Sequence, residues 1–143
     1  MTATAWAHLP NAALIDAVLA DAEARPEVWK DVWRARGDVL WDVIYAAEDA
    51  AYDAADIAAG AEHRATALDR ALDATRDVVS DTMQDAHWHA IRGTLFALIA
   101  WDDCAHLLDL PSTTLRTMAD LCDAPACHQA VLLLAYVLVK ESK

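Results

Sequence analysis

Glycine and proline are scarce in this chain, 3 and 4 among 143 residues, so few tight turns are available. Three scattered glycines also cannot form the Gly-rich loop that cradles a phosphate. Cationic side chains are few as well: 11 Lys and Arg face 23 Asp and Glu, leaving a formal net charge of −12. The basic footprint that displaces counterions from DNA or RNA is missing, which argues against direct nucleic-acid binding. The same acidity disfavours an anionic membrane surface. The longest apolar run, Ala130 to Val139, is about half of what a membrane-spanning helix needs. The first residues, MTATAWAHLP, lack the basic start and apolar stretch of an export signal. Cys104, Cys122 and Cys127 are an odd set without such a signal, so reduced thiols in a cytoplasm are expected.

What is present is a folding composition. Hydrophobic residues make up 57% of the chain and charged residues 24%, enough to bury a core in one domain spanning 1–143. Alanine and aspartate are over-used and arginine outnumbers lysine. A GC-rich genome supplies part of that bias through its codons alone.

Helix signals recur along the chain, and strand signals are almost absent. Asn11 after Pro10 can cap a first helix with Leu14, Ile15, Val18 and Leu19 on one face. Pro26 opens a short second helix that Gly37 ends. Asp38 caps a third that reaches the breaker Gly60, and a fourth spans roughly 61–84. A fifth runs from about Asp85 to Leu108, continuous with the fourth or kinked near His87. Gly93 inside it marks a close approach by a neighbouring helix. Pro111 stops that helix, Ser112 caps a short sixth, and Asp123 with Pro125 starts the last. The expected fold is all-α, a compact bundle of six or seven helices.

The stretch WDVIYAAEDAAYDAADIAAG, residues 41–60, divides a helix into three faces. Asp42, Asp49, Asp53 and Asp56 share a band about 60° wide, beside Trp41, Tyr45 and Tyr52, and alanine fills most of the remainder. Stacked carboxylates could hold Mg²⁺ or Mn²⁺, as in all-α nucleotide pyrophosphohydrolases. Those enzymes, however, use Glu-x-x-Glu and Glu-x-x-Asp pairs, and this helix offers only Asp53 and Asp56 at that spacing, without the longer glutamate arms. A solvated charge stripe explains the pattern more simply. Asp69, Asp73, Asp77, Asp81 and Asp85 recur at every fourth place, so their carboxylates lie about 6 Å apart, a spacing similar to that of phosphates on one DNA strand. Such a row winds around its helix, and Arg70 and Arg76 neutralise part of it.

Polar groups also interrupt the most apolar stretch, LFALIAWDDCAHLLDL. On a continuous helix Arg92, Asp102, His106 and Asp109 extend the stripe of Leu95 and Ile99, so a buried cluster would need internal partners. The simpler alternative is a surface Asp102–His106 pair one turn apart. Cys104, His106, Cys122, Cys127 and His128 could be arranged around zinc, yet Cys104 and His106 point to opposite sides of their helix. Inert core cysteines fit better, and no metal or cofactor is expected. No Ser/His/Asp order with a nucleophile turn occurs, and no catalytic residue is assigned.

The segments AEDAAYDAADIAA and ALIAWDDCAHLLDL carry a likeness. The chain resembles a diffuse group of Ala/Asp/Trp-rich helical proteins encoded by bacteriophages and their bacterial hosts. Trp101, Asp102, Asp103 and Cys104 are its most distinctive residues. The resemblance implies a phage accessory or immunity-type protein that binds another protein in the host cytoplasm.

These readings favour a small acidic interaction protein over an enzyme. Its partner would be another protein, reached through a basic or apolar contact. Trp6, Trp29 and Trp33 sit in short N-terminal elements where full burial is hardest, so they are the expected interaction surface. The rival functions are a metal-dependent nucleotide hydrolase and an acidic DNA mimic. The last helix, AVLLLAYVLVK, is apolar all round and is expected to be enclosed by the monomer. Left open, it would form a homodimer interface of about 800 Å² per partner.

Overall fold

A helix that is apolar around its whole circumference must be surrounded by other helices, and two such helices organise this molecule. The computed structural model describes residues 6–35, 41–58, 61–79, 85–121 and 126–142. Among them are seven α-helices: α1 Ala12–Ala24, α2 Pro26–Ala35, α3 Trp41–Ile57, α4 Ala61–Val79, α5 Asp85–Ala100, α6 Ser112–Leu121 and α7 Ala126–Glu141. A 3₁₀ helix, Cys104–Asp109, connects α5 to α6. No strand occurs among the described residues, and the fold is all-α. None of these helices is long and apolar enough to cross a membrane.

The two central elements are α5 and α7. Helix α7 packs against α2, α3, α5, α6 and the 3₁₀ helix, while α5 meets α1, α2, α3, α4 and α7. Leu95, Phe96, Leu98 and Ile99 of α5 are buried with Val131, Leu133, Leu134 and Val137 of α7. The closing helix is thus enclosed within the monomer. Gly93 is where it comes nearest: a Cβ there would stand 3.1 Å from Leu132 Cδ2. Thr94 marks the same crossing, its hydroxyl donating to the carbonyls of Ala90 and Leu132.

The outer helices follow their sequence patterns. Ala47, Ala51 and Ala55 repeat every fourth residue and form the buried, smooth face of α3; small side chains let its backbone lie close to α5 and α7. On α4 the buried positions are Arg64, Ala67, Leu68, Ala71 and Thr75, a helical stripe with a cation at its head. Helices α4 and α5 pack against each other, so they are separate helices and not one rod. The segment joining them, with Asp81, lies outside the described residues, as do Gly37, Asp38, Gly60 and Cys122.

Three sequence expectations need correction. The fifth helix ends at Ala100, not at Leu108, because the chain turns at Asp102 and Asp103 before the 3₁₀ helix. Asn11 stands at the start of α1 but makes no side-chain cap there; its amide donates instead to the Leu98 and Trp101 carbonyls. Ser112 is inside α6, and the cap comes from the far end of the chain. The Glu141 carboxylate accepts from the Ser112 backbone N–H at 2.8 Å and from its hydroxyl at 2.7 Å. An anion is thereby placed at a helix N-terminus, where the orphan N–H groups favour it.

Replacing Leu133 with alanine should cost about 2–5 kcal/mol in urea denaturation, with no change of size in gel filtration. A shift to a smaller species at unchanged stability would make α7 an interface.

The hydrogen bonds from Ser112 hold the Glu141 carboxyl below its ordinary 4.5. A depressed folded pKa stabilises above the unfolded value, and the contribution is lost as pH falls through the folded one. Thermal melts between about pH 6 and about pH 3 should therefore show wild type above Glu141→Gln at the high end. The gap should close toward the low end.

Candidate functional site

The residues expected to form one polar cluster are drawn to two different neighbours. Asp102 is paired to Arg64 of α4, whose guanidinium donates to both carboxylate oxygens at 2.9 and 2.8 Å. The same guanidinium reaches the Ile99 carbonyl at 2.6 Å. His106 is exposed and directs Nδ1–H to the Asp103 carbonyl at 2.7 Å. Asp109 is exposed. The predicted Asp102–His106 pair is therefore replaced by a pairing across helices. Once α5 ends at Ala100, the rotational phase that aligned Asp102, His106 and Asp109 with Leu95 no longer applies.

This corner is a helix terminus whose last carbonyls turn toward other elements while Asp102 and Asp103 face solvent. Buried C-terminal carbonyls need donors, and side chains from elsewhere supply them. Asn11 takes Leu98 and Trp101, Arg64 takes Ile99, and the Cys104 thiol lies 3.4 Å from the Ala97 carbonyl. Burial, with Asp103 nearby, pushes that thiol up to about 12, so it is no nucleophile. Cys127 is likewise buried and donates to the Ala119 carbonyl. No group of three or more His, Cys, Asp or Glu able to hold a metal occurs among the described residues.

Arg92 belongs to a second site, between α3 and α5. Its Nε and Nη2 donate to the two oxygens of Glu48 at 3.1 and 2.7 Å. The side chains of Arg92 and Glu48 retain only 13% and 6% of their exposure, so the pair is largely dry. The Arg92 guanidinium also lies 4.0 Å from the centre of the Trp88 ring, held between a carboxylate and an aromatic face. Glu48 was not expected to matter. Its signal was a lone glutamate on the alanine face of an aspartate-rich helix.

Trp6 and Trp29 are corrected outright: both are buried, so neither contributes to a surface patch. Aspartates from α1 make their burial affordable in hydrogen-bond terms. Trp6 Nε1 donates to Asp16 at 3.0 Å and Trp29 Nε1 to Asp21 at 2.9 Å. Trp29 also stacks on Tyr136, with centroids 5.8 Å apart and planes 11° apart. The side chain of Trp33 lies outside the described residues, as do those of Asp42 and Asp85.

The acidic rows remain at the surface. Asp49, Asp53 and Asp56 on α3, and Asp69, Asp73 and Asp77 on α4, are all exposed. Asp73 stands 3.7 Å from both Arg70 and Arg76, so that part of the α4 row is neutralised. Helices α3 and α4 pack against each other, and one aspartate of each row, Asp49 and Asp69, acts on the Tyr52 phenol. Burial raises the phenol above its ordinary range, Arg92 draws it down, and Asp69, Glu48 and Asp49 push it further up. Tyr52 also meets Phe96 edge-on, with centroids 5.2 Å apart.

The chain matches no family model, no curated protein and no solved structure.

Breaking the dry pair should be costly, because it strands a buried carboxylate. Arg92→Met should lose about 3–5 kcal/mol at neutral pH, and adding Glu48→Leu should recover much of that. A double-mutant denaturation cycle measures both; additive losses would show that the two groups do not act as a pair.

Proposed function

We propose that this is an acidic helical interaction protein without enzymatic activity, which binds a basic surface of another protein. The observation that carries this reading is that α3 and α4, which pack against each other, each expose a set of carboxylates. The two cross-helix cation pairs described above, each with a largely buried arginine, are committed elsewhere. Arg64 with Asp102 closes the end of α5, and Arg92 with Glu48 joins α5 to α3. Surface charge is what the fold leaves available to a partner, and a net charge of −12 favours partners of opposite sign.

A phage accessory or immunity-type setting is part of the proposal, and the resemblance around Trp101–Cys104 supports it. Those residues form the corner after α5. The DNA-mimic reading is the second one retained, because Asp49 and Asp69 approach the same side chain from different helices. The arginines on either side of Asp73 count against it. Under either reading the partner presents Lys and Arg.

Full-length protein immobilised as bait should retain basic proteins from a bacterial host lysate and release them as salt rises. A bait with Asp49, Asp53, Asp69 and Asp73 all changed to Asn should retain fewer. Equal retention by the two baits would overturn the reading. Release of the captured protein by duplex DNA would select mimicry. A melting temperature raised by Mg²⁺, Mn²⁺ or Zn²⁺ together with nucleotide hydrolysis would replace the proposal with the metalloenzyme.

A further inference from the structure

The large apolar side chains exposed among the described residues are Tyr45, Tyr52 and Ile57, at 48%, 38% and 87%. All three are on α3. Trp6, Trp29 and Phe96 are by contrast buried and Trp88, Trp101 and Tyr136 half-buried, so among the described residues the exposed aromatic rings of Trp, Tyr and Phe are on this helix. Folding uses Tyr52 in part, through its edge contact with Phe96, while α3 turns its alanines inward and leaves much of both tyrosines in solvent. With 100° per residue, Tyr45, Asp49, Tyr52 and Asp56 share a band about 60° wide, flanked by Asp53. Asp69, exposed on α4, which packs against α3, is near enough to Tyr52 to act on its phenol.

We propose that this outward face of α3, with Asp69 at its edge, is a docking surface for an arginine-rich segment of a basic protein. It rests on the reading of the chain as an acidic binding protein. Each docked guanidinium pairs with an aspartate while lying against a tyrosine ring. Arginine suits such a surface better than lysine, because its planar fork binds a carboxylate through two N–H groups and stacks on an aromatic face. The molecule already makes this contact internally: Arg92 is doubly bonded to Glu48 and lies over Trp88. The outer face of α3 offers the same two kinds of group to solvent. The edge contact with Phe96 holds the Tyr52 ring in place, which lowers the ordering cost of binding. A second copy of this chain is a poor occupant, since each carries a net charge of −12.

The test uses the full chain and two fluorescent probes, an oligo-arginine peptide and an oligo-lysine peptide of equal length, read by anisotropy at low salt. Oligo-arginine should bind more tightly by about tenfold. Tyr45→Ala with Tyr52→Ala should abolish that preference. Asp49→Asn with Asp53→Asn should weaken both peptides by about tenfold. A control on other helices, Asp31→Asn with Asp120→Asn, makes the same change in net charge and should alter binding by less than about twofold. If Tyr52→Ala does not fold, Tyr45→Ala alone and the Asn pair on α3 still decide the matter. Equal affinity for the two peptides, as charge spacing alone would give, overturns the inference. So does a control pair that loses as much as the α3 pair. In both cases acidic binding itself survives. Failure of both peptides to bind removes that broader reading along with this one.

Discussion

The end of α5 is the constraint on which the arrangement of the other helices depends. An apolar helix that stops inside a protein leaves carbonyl groups that no water can reach, and each must find a donor. Here Asn11 at the head of α1 and Arg64 on α4 come from distant parts of the chain, while the Ala97 carbonyl is met locally by the Trp101 N–H and the Cys104 thiol. Satisfying one helix terminus therefore ties α1 and α4 to α5. The Arg64 guanidinium contributes most, bonding a main-chain carbonyl and both oxygens of Asp102.

A similar economy appears at the other end of the molecule. Glu141, near the chain's C-terminus, caps α6 through Ser112. Lys140 beside it donates to the Leu108 carbonyl in the last turn of the 3₁₀ helix. The last turn of α7 thus completes two elements it does not belong to. The core helix is held by packing along its length and by polar contacts at its tip.

Charge is used in two distinct ways. Inside, each cation has a carboxylate and is placed where a backbone or an aromatic ring needs it: Arg64 at the α5 terminus and Arg92 against Trp88. Outside, aspartates on α3 and α4 are spread over the surface and give the molecule a field of one sign. Tyr52 lies between these two uses, in contact with Phe96 of the core and beside Asp49 and Asp69 of the rows. That position is why the surface reading of the protein centres on it.

Local periodicity was enough to determine the helical class, the alanine face of α3, the enclosed last helix and the close approach at Gly93. Each depends only on which residues recur at helical spacing, and burial follows that spacing when helices pack. The exposed aspartates were legible for the same reason. The partners of the buried polar groups were not. Asn11 looked like a cap, Arg92 and Asp102 looked like neighbours, and Trp6 and Trp29 looked too peripheral to bury. A helical wheel presumes that the helix continues, and α5 stops at Ala100. It also carries no information about what lies across an interface, so Glu48 and Arg64 drew no notice. Their roles exist only once α3 and α4 are packed on α5, because a dry charge or carbonyl is satisfied by whichever group the fold brings within about 3 Å of it.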